Sequence, residues 1–209
     1  MDNSIISTPR TNKTDLKFWL MWVIASIAAI LFSFVVLYAL IFIAIAISPS
    51  INEDRVFSVI QWPIIATMFG VLQWLVLRKH IPKSGWWILA TIVGLGGGAY
   101  LAISAAQAIS HITGQELNGD FPPGILMLYL LIGFFLALAQ LPILWRHFRG
   151  SLLWLLASII GWLVLGLIMG GTIDRISDIF AIGAIPAMFT GFCLIWLMRN
   201  PRTESGTSL

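Results

Sequence analysis

The chain has 209 residues, of which 59% are hydrophobic and only 10% charged, with a formal net charge of +3. Soluble domains carry about 25% charged residues, so a water-soluble fold of this length cannot cover so much apolar surface, and lipid must be the solvent for much of it. The twelve Lys and Arg form no stripe but sit in small groups between apolar runs, which points to membrane topology and away from nucleic-acid binding. The single cysteine, Cys193, lies inside an apolar run. It permits no intrachain disulfide and no cysteine metal cluster, and reads as a small buried hydrophobe.

In chain order, residues 1–16 are polar and read as a mobile tail. The first apolar run, 17–47, is too long for the core of a cleaved signal peptide, about 7–15 residues, and reads as a retained, long or tilted helix. Ser48-Pro49-Ser50 ends it. A second helix covers 56–77 and is followed by the tight basic turn Arg78-Lys79-His80-Ile81-Pro82-Lys83. A third covers 85–110 and leads into a polar loop with His111, Glu116, Asn118 and Asp120. Pro122-Pro123 opens a fourth, ending near Trp145, and Arg146-His147-Phe148-Arg149 turns the chain. The fifth covers 152–171; a loop with Asp174, Arg175 and Asp178 precedes the sixth, 179–198, and a polar tail begins at Arg199. Each span is near the roughly 20 residues that cross a hydrocarbon core of about 30 Å. The expected fold is an all-α integral membrane bundle of about six transmembrane helices, one domain over 17–198 between two polar tails, 1–16 and 199–209.

Charge orients the bundle. The two tails and the two tight turns hold ten of the twelve basic residues, leaving Arg55 and Arg175 for the other loops, whereas Glu53, Asp54, Glu116, Asp120, Asp174 and Asp178 fall opposite. By the positive-inside rule both termini face the cytoplasm.

Shifted by 67 residues, 56–110 falls on 123–177 without a gap: Gln73 meets Gln140, His80 meets His147, Ser84 meets Ser151, Trp87 meets Trp154 and Gly94 meets Gly161. Polar and aromatic identities at one offset predict a duplicated hairpin, helices 2–3 and 4–5, related by an axis along the membrane normal. A weaker echo runs over 191–199, where Leu194 stands in place of the Gln. The pattern Gly70-x-x-Gln73-Trp74-Leu75-x-Leu77-Arg78, then Trp86-Trp87-x-x-Ala90-x-x-x-Gly94, resembles a family of small polytopic membrane proteins found widely in cyanobacteria and some other bacteria, as does Trp196-Leu197-x-Arg199-Asn200-Pro201. The resemblance covers roughly residues 56–201, implies a bacterial cell membrane, plasma or thylakoid, and carries no catalytic residues. The second copy departs from the pattern, with Trp145 in place of the first Arg and Pro142 interrupting it.

Candidate residues are few. Lys79, Lys83, Arg146 and Arg149 are topology determinants or contacts for anionic head groups. Ser84 and Ser151 suit helix caps, and Trp87 and Trp154 suit an aromatic belt at head-group depth. His80 and His147 lie beside basic residues at the membrane edge and read as solvated rather than as metal or haem ligands. Small residues four apart, Ala90, Gly94, Gly98, Ala102 and Ala106, with Gly183, Ala187 and Gly191, predict close helix packing; Gly96-Gly97-Gly98 is alternatively a broken point lining a cavity. The least ordinary residues are Gln73, Gln107 and Gln140, primary amides inside apolar spans that must find partners. They are either interhelical glue or the lining of a polar path.

No acid or base lies deep in a span, and no nucleophile–base pair, metal centre or cofactor motif is present. The expected function is therefore not enzymatic: a structural, assembly or regulatory membrane protein working through helix–helix contacts with a membrane-protein partner or a second copy. The alternative is a small uncharged-solute transporter or channel. The topology is tested by single cysteines at Asn118 and Ser205 in a Cys193→Ala background, which are expected to label from opposite faces of the membrane. Labelling from one face would remove the six-helix arrangement.

Overall fold

The computed structural model describes residues 12–48, 52–114, 123–169 and 176–202. The loop residues Glu116, Asn118, Asp120, Asp174 and Arg175, and most of both tails, lie outside the described residues. The chain forms α1 (Asn12–Ile47), α2 (Glu53–Leu77), α3 (Trp86–Thr91), a π-helical segment (Ile92–Gly97), α4 (Gly98–Thr113), α5 (Pro123–His147), α6 (Leu152–Met169) and α7 (Ile176–Arg199). The segments α3, π and α4 are continuous, so among the described residues six helices are long and apolar enough to cross a membrane. The protein is a six-helix membrane bundle.

The spans form a closed ring in chain order. Each packs on its neighbour in sequence, and α7 closes on α1 as extensively as α1 packs on α2. Two apolar clusters fill the interior. One, at the end with the basic turns, contains Trp22, Trp87, Trp154, Leu77, Leu144 and Leu197. The other, toward the opposite end, is built on Ile30, Phe69, Leu95, Ile132, Trp162 and Leu165.

One local reading changes. α1 begins at Asn12 rather than at Lys17, because Asp15 is buried and ion-paired with Arg199 of α7, which holds the first turn against the bundle. α5 runs through Pro142 to His147; neighbouring helices tolerate a proline inside a membrane helix. The triple glycine does not break the third span. The helix widens into a π turn over Ile92–Gly97 and then resumes.

The two basic turns share geometry at the 67-residue offset. Lys83 and Gly150 both take a left-handed backbone, φ 54° and 73°, and Ile81 and Phe148 are both buried beneath the turn. At Gly150 a side chain is disfavoured by this φ and would also meet the Trp196 ring 2.9 Å from where a Cβ would lie. The residues after α7 are pinned to the second turn: the Arg149 N–H donates to Asn200 O (3.1 Å) and the Arg202 N–H to His147 O (3.0 Å).

Close approach explains the small-residue stripes. A Cβ on Gly94 would lie 2.8 Å from the Leu136 Cα of α5, one on Gly161 2.9 Å from the Pro186 Cα of α7, and one on Gly183 2.7 Å from the Ile27 Cα of α1. These stripes are consumed inside the bundle and are not left on its outer face. Gly94→Ala is expected to lower stability by about 1–3 kcal/mol through overpacking. Gly97→Ala, where nothing lies within 4 Å of the new methyl, should be neutral or stabilising by up to about 1 kcal/mol. Thermal unfolding in detergent checks the pair; equal melting temperatures would contradict the close α3–α5 approach.

Candidate functional site

The polar centre is built from the glutamines outward. Gln73 lies one turn before the end of α2, and Gln140 in the corresponding part of α5. Both are buried. A primary amide offers two donors and an acceptor, and each glutamine uses both kinds. Gln73 Oε1 accepts from the Trp87 indole N–H at 3.1 Å, and Gln140 Oε1 accepts from the Trp154 indole N–H at 3.1 Å. These bonds lie within a hairpin, between residues 14 apart, and recur at the 67-residue offset.

The amide nitrogens reach across to a different hairpin. Gln73 Nε2 donates to Ser26 Oγ on α1 at 3.1 Å, and Gln140 Nε2 donates to Thr91 Oγ1 on α3 at 2.9 Å. Both hydroxyls are free to accept because they spend their own hydrogen on the carbonyl one turn back. Ser26 donates to Trp22 O (3.0 Å) and Thr91 to Trp87 O (2.8 Å). The carbonyl halves thus bond within each hairpin, whereas the NH2 halves tie α2 to α1 and α5 to α3.

Trp22, Trp87 and Trp154 meet at the centre as a mutual edge-to-face triad. Their ring centroids are 6.0 Å (Trp22–Trp87), 6.3 Å (Trp22–Trp154) and 5.5 Å (Trp87–Trp154) apart, with interplanar angles of 73°, 74° and 69°. Such pairs contribute about 0.5–1.5 kcal/mol each beyond their area. The third junction, between α7 and α1, is closed differently. The Trp22 indole N–H donates to Thr190 Oγ1 at 3.2 Å. Ser158 of α6, which meets no amide from α7, donates to the Gly133 carbonyl of α5 at 3.0 Å. Leu194, aligned with Gln73 by the echo over 191–199, is fully buried and apolar. A long helical side chain covers the turn N-terminal to its own Cα, so a threonine one turn earlier meets the indole where a glutamine amide would.

Trp22 and Ser26 were not singled out in sequence. The signal is present, however: Trp22-x-x-Ala25-Ser26-x-x-Ala29, Trp87-x-x-Ala90-Thr91-x-x-Gly94 and Trp154-x-x-Ala157-Ser158-x-x-Gly161 share one pattern. The first copy pairs with a helix at the far end of the chain, so a search for tandem repeats passes over it.

Other candidates are placed elsewhere. Gln107 is exposed and does not join the centre. The inward face of α4 is Ala99, Ala102 and Ala106, and Gln107 lies about 100° round from Ala106, near the outer end of its span. Trp87 and Trp154 do not form an interfacial belt, because their N–H groups have acceptors in the core. Trp86, Trp145 and Trp196 are the exposed tryptophans at that end. No side chain caps α3, and the Ser84 carbonyl instead accepts from the Trp87 backbone N–H at 2.9 Å. His80 and His147 point Nδ1 at the carbonyls of Val76 (3.1 Å) and Ile143 (2.8 Å). Among the described residues no cluster of His, Cys, Asp or Glu suits a metal. Lys79, Lys83, Arg146 and Arg149 are all exposed. Cys193 is partly buried against the inner cluster.

The space between the two amides is small. A cavity of about 20 Å³ lies among Trp22, Gln73, Gln140, Trp154, Ser158 and Thr190, room for about one water. Among the described residues, the Trp62 indole N–H is the buried side-chain donor left without an acceptor.

Comparison with known proteins finds no matching family model, no matching curated protein and no matching solved structure.

The Gln73–Trp87 bond is testable by a double-mutant cycle. Gln73→Leu strands a buried indole N–H and should cost about 1–2 kcal/mol. In a Trp87→Phe background, where that donor is absent, the same change should cost less by about 0.5–1.5 kcal/mol. Additive losses in melting experiments would show that the bond is not made.

Proposed function

We propose that this protein is a non-enzymatic structural or assembly component of a bacterial membrane, acting through helix–helix contacts. The observation that carries the reading is the closed centre. The amides of Gln73 and Gln140 are engaged on both sides, and the cavity between them is about 20 Å³. Interhelical hydrogen bonds of this kind fix the geometry of a bundle and conduct nothing. Small-residue faces are used internally, so partner contacts fall to other surfaces. The foremost is the outer part of α1. Its apolar span, 35 residues, exceeds every other, and Val35, Tyr38, Phe42 and Ile47 are exposed along it, Phe42 by 74%. A helix longer than the bilayer must tilt or find protein to cover it.

The finer expectations belong to the same reading. The two hairpins descend from one, with α7 and α1 as a third copy split between the ends of the chain. Both termini face the cytoplasm. The solute-transporter alternative draws on the same glutamines, but Gln107 lies at the far end, exposed and apart from the other two.

Two measurements separate the readings. Purified protein in phosphatidylglycerol–phosphatidylcholine vesicles is expected to leave glycerol and urea permeability at the protein-free level in stopped-flow light scattering. Permeability lost in Gln140→Leu would instead establish transport. A photo-crosslinking residue at Phe42 in native membranes should give one adduct of defined mass, absent when the same residue replaces Leu156. Lipid adducts alone at Phe42 would remove the assembly reading.

A further inference from the structure

A second concave feature lies on the outside of the bundle. Where α3 crosses α5 at the basic end, a groove of about 470 Å³ opens outward, within the range of about 300–1,000 Å³ usual for ligand sites. Its walls are Leu89 and Val93 on one side and Ile143 on the other. Ala90 and Ala139 line it as well, where the Gly94–Leu136 approach keeps the two helices close and the side chains small. Its mouth is polar and is formed by Trp86, 65% exposed, and Arg146. Among the described residues Arg146 has no hydrogen bond or ion pair, and neither has the Trp86 indole N–H.

We propose that this groove binds one anionic phospholipid, with its phosphate on Arg146 and one acyl chain along the α3–α5 seam. The dimensions select this occupant. Trp86 to Val93 and Ala139 to Arg146 each span seven residues, about 10 Å of helix. That is most of one leaflet's half of a hydrocarbon core about 30 Å thick, and only a third of what a spanning helix needs. The chemistry is graded in the same sense as a lipid. A cation and an indole donor stand at the head-group level and only aliphatic surface lies below. An unpaired guanidinium at the membrane edge attracts anionic head groups, and its planar donors suit a phosphate. The 67-residue counterpart of Arg146 is Lys79, which is not part of this groove. A groove of similar size, about 420 Å³, lies between α1 and α7 and ends on Trp196 and Arg199, but there the guanidinium is paired with Asp15, whereas the Arg146 groove has no acid in its lining. A lipid held on Arg146 would cover the seam beside the Gly94–Leu136 approach, so it would act as a wedge that completes the bundle surface.

The test uses delipidated full-length protein in mild detergent and native mass spectrometry. It is titrated with palmitoyl-oleoyl phosphatidylglycerol and separately with the matching phosphatidylcholine. The first phosphatidylglycerol should bind about fivefold more tightly than phosphatidylcholine, the increment expected of one basic residue. Arg146→Gln should remove that preference, and Lys79→Gln should keep it. Val93→Trp, at a wall position 59% exposed, should fill the groove and weaken both lipids without lowering the melting temperature. Glycerol 1-phosphate, which has the phosphate and no chain, should not compete. Equal affinity for the two lipids, an equal loss in Lys79→Gln, unchanged binding in a folded Val93→Trp, or full competition by glycerol 1-phosphate would each overturn the proposal.

Discussion

A primary amide in hydrocarbon has no water to bond, and leaving its donors and acceptor unpaired costs several kcal/mol. The whole inner half of this bundle is arranged around meeting that requirement twice. Each glutamine carbonyl takes an indole N–H from its own hairpin, and each glutamine NH2 goes to a hydroxyl on the adjoining hairpin. A single bond of this kind contributes only about 0.6–2 kcal/mol. Its importance is directional. Apolar side chains can slide past one another at small cost, whereas Gln73 meets both Trp87 and Ser26 only at one register of α2 against α3 and one of α2 against α1.

The tryptophan triad follows from the same demand. An indole N–H that must reach a glutamine is turned inward, and three indoles turned inward from alternate helices of a six-membered ring meet at the axis. The third junction shows how far the arrangement can vary. Leu194 contributes no amide, so the indole of Trp22 bonds Thr190 one turn away, and the hydroxyl of Ser158 is redirected to a backbone carbonyl. Every indole of the triad still has an acceptor. The link from Ser158 of α6 to α7 that an amide would make is missing, while the Asp15–Arg199 pair and the Trp19 indole bond to the Met188 carbonyl (3.2 Å) add to the hold of α1 on α7.

A centre closed in this way directs attention to the outside. Polar pairing and glycine contacts are spent within the bundle, and what remains is apolar length on α1 and a graded groove between α3 and α5. Both are surfaces for neighbours in the membrane, one suited to protein and the other to lipid. Of the five exposed Lys and Arg of the two turns, Arg146 alone lines the groove.

The number of spans, their lengths and the basic turns were legible in sequence because they depend on local hydropathy and on where charge interrupts it. The hairpin partners Gln73–Trp87 and Gln140–Trp154 were also within reach, because a tight turn places residues 14 apart at one depth. Depth, however, does not give direction. Trp86 and Trp87 are adjacent and equally aromatic, yet one is 65% exposed and the other 0%. Gln107 and Ala106 are divided in the same way. In a helix apolar on every side, no contrast between faces tells which one turns inward; lipid and protein interior reward the same residues. The use of Ser26, the redirection of Ser158 and the pairing of α1 with α7 involve residues far apart in the chain, and only the closing of the ring brings them together. Sequence determined what must be satisfied and at what depth, and the tertiary structure decided which partner satisfies it, because in lipid that choice rests on packing and not on hydrophobicity.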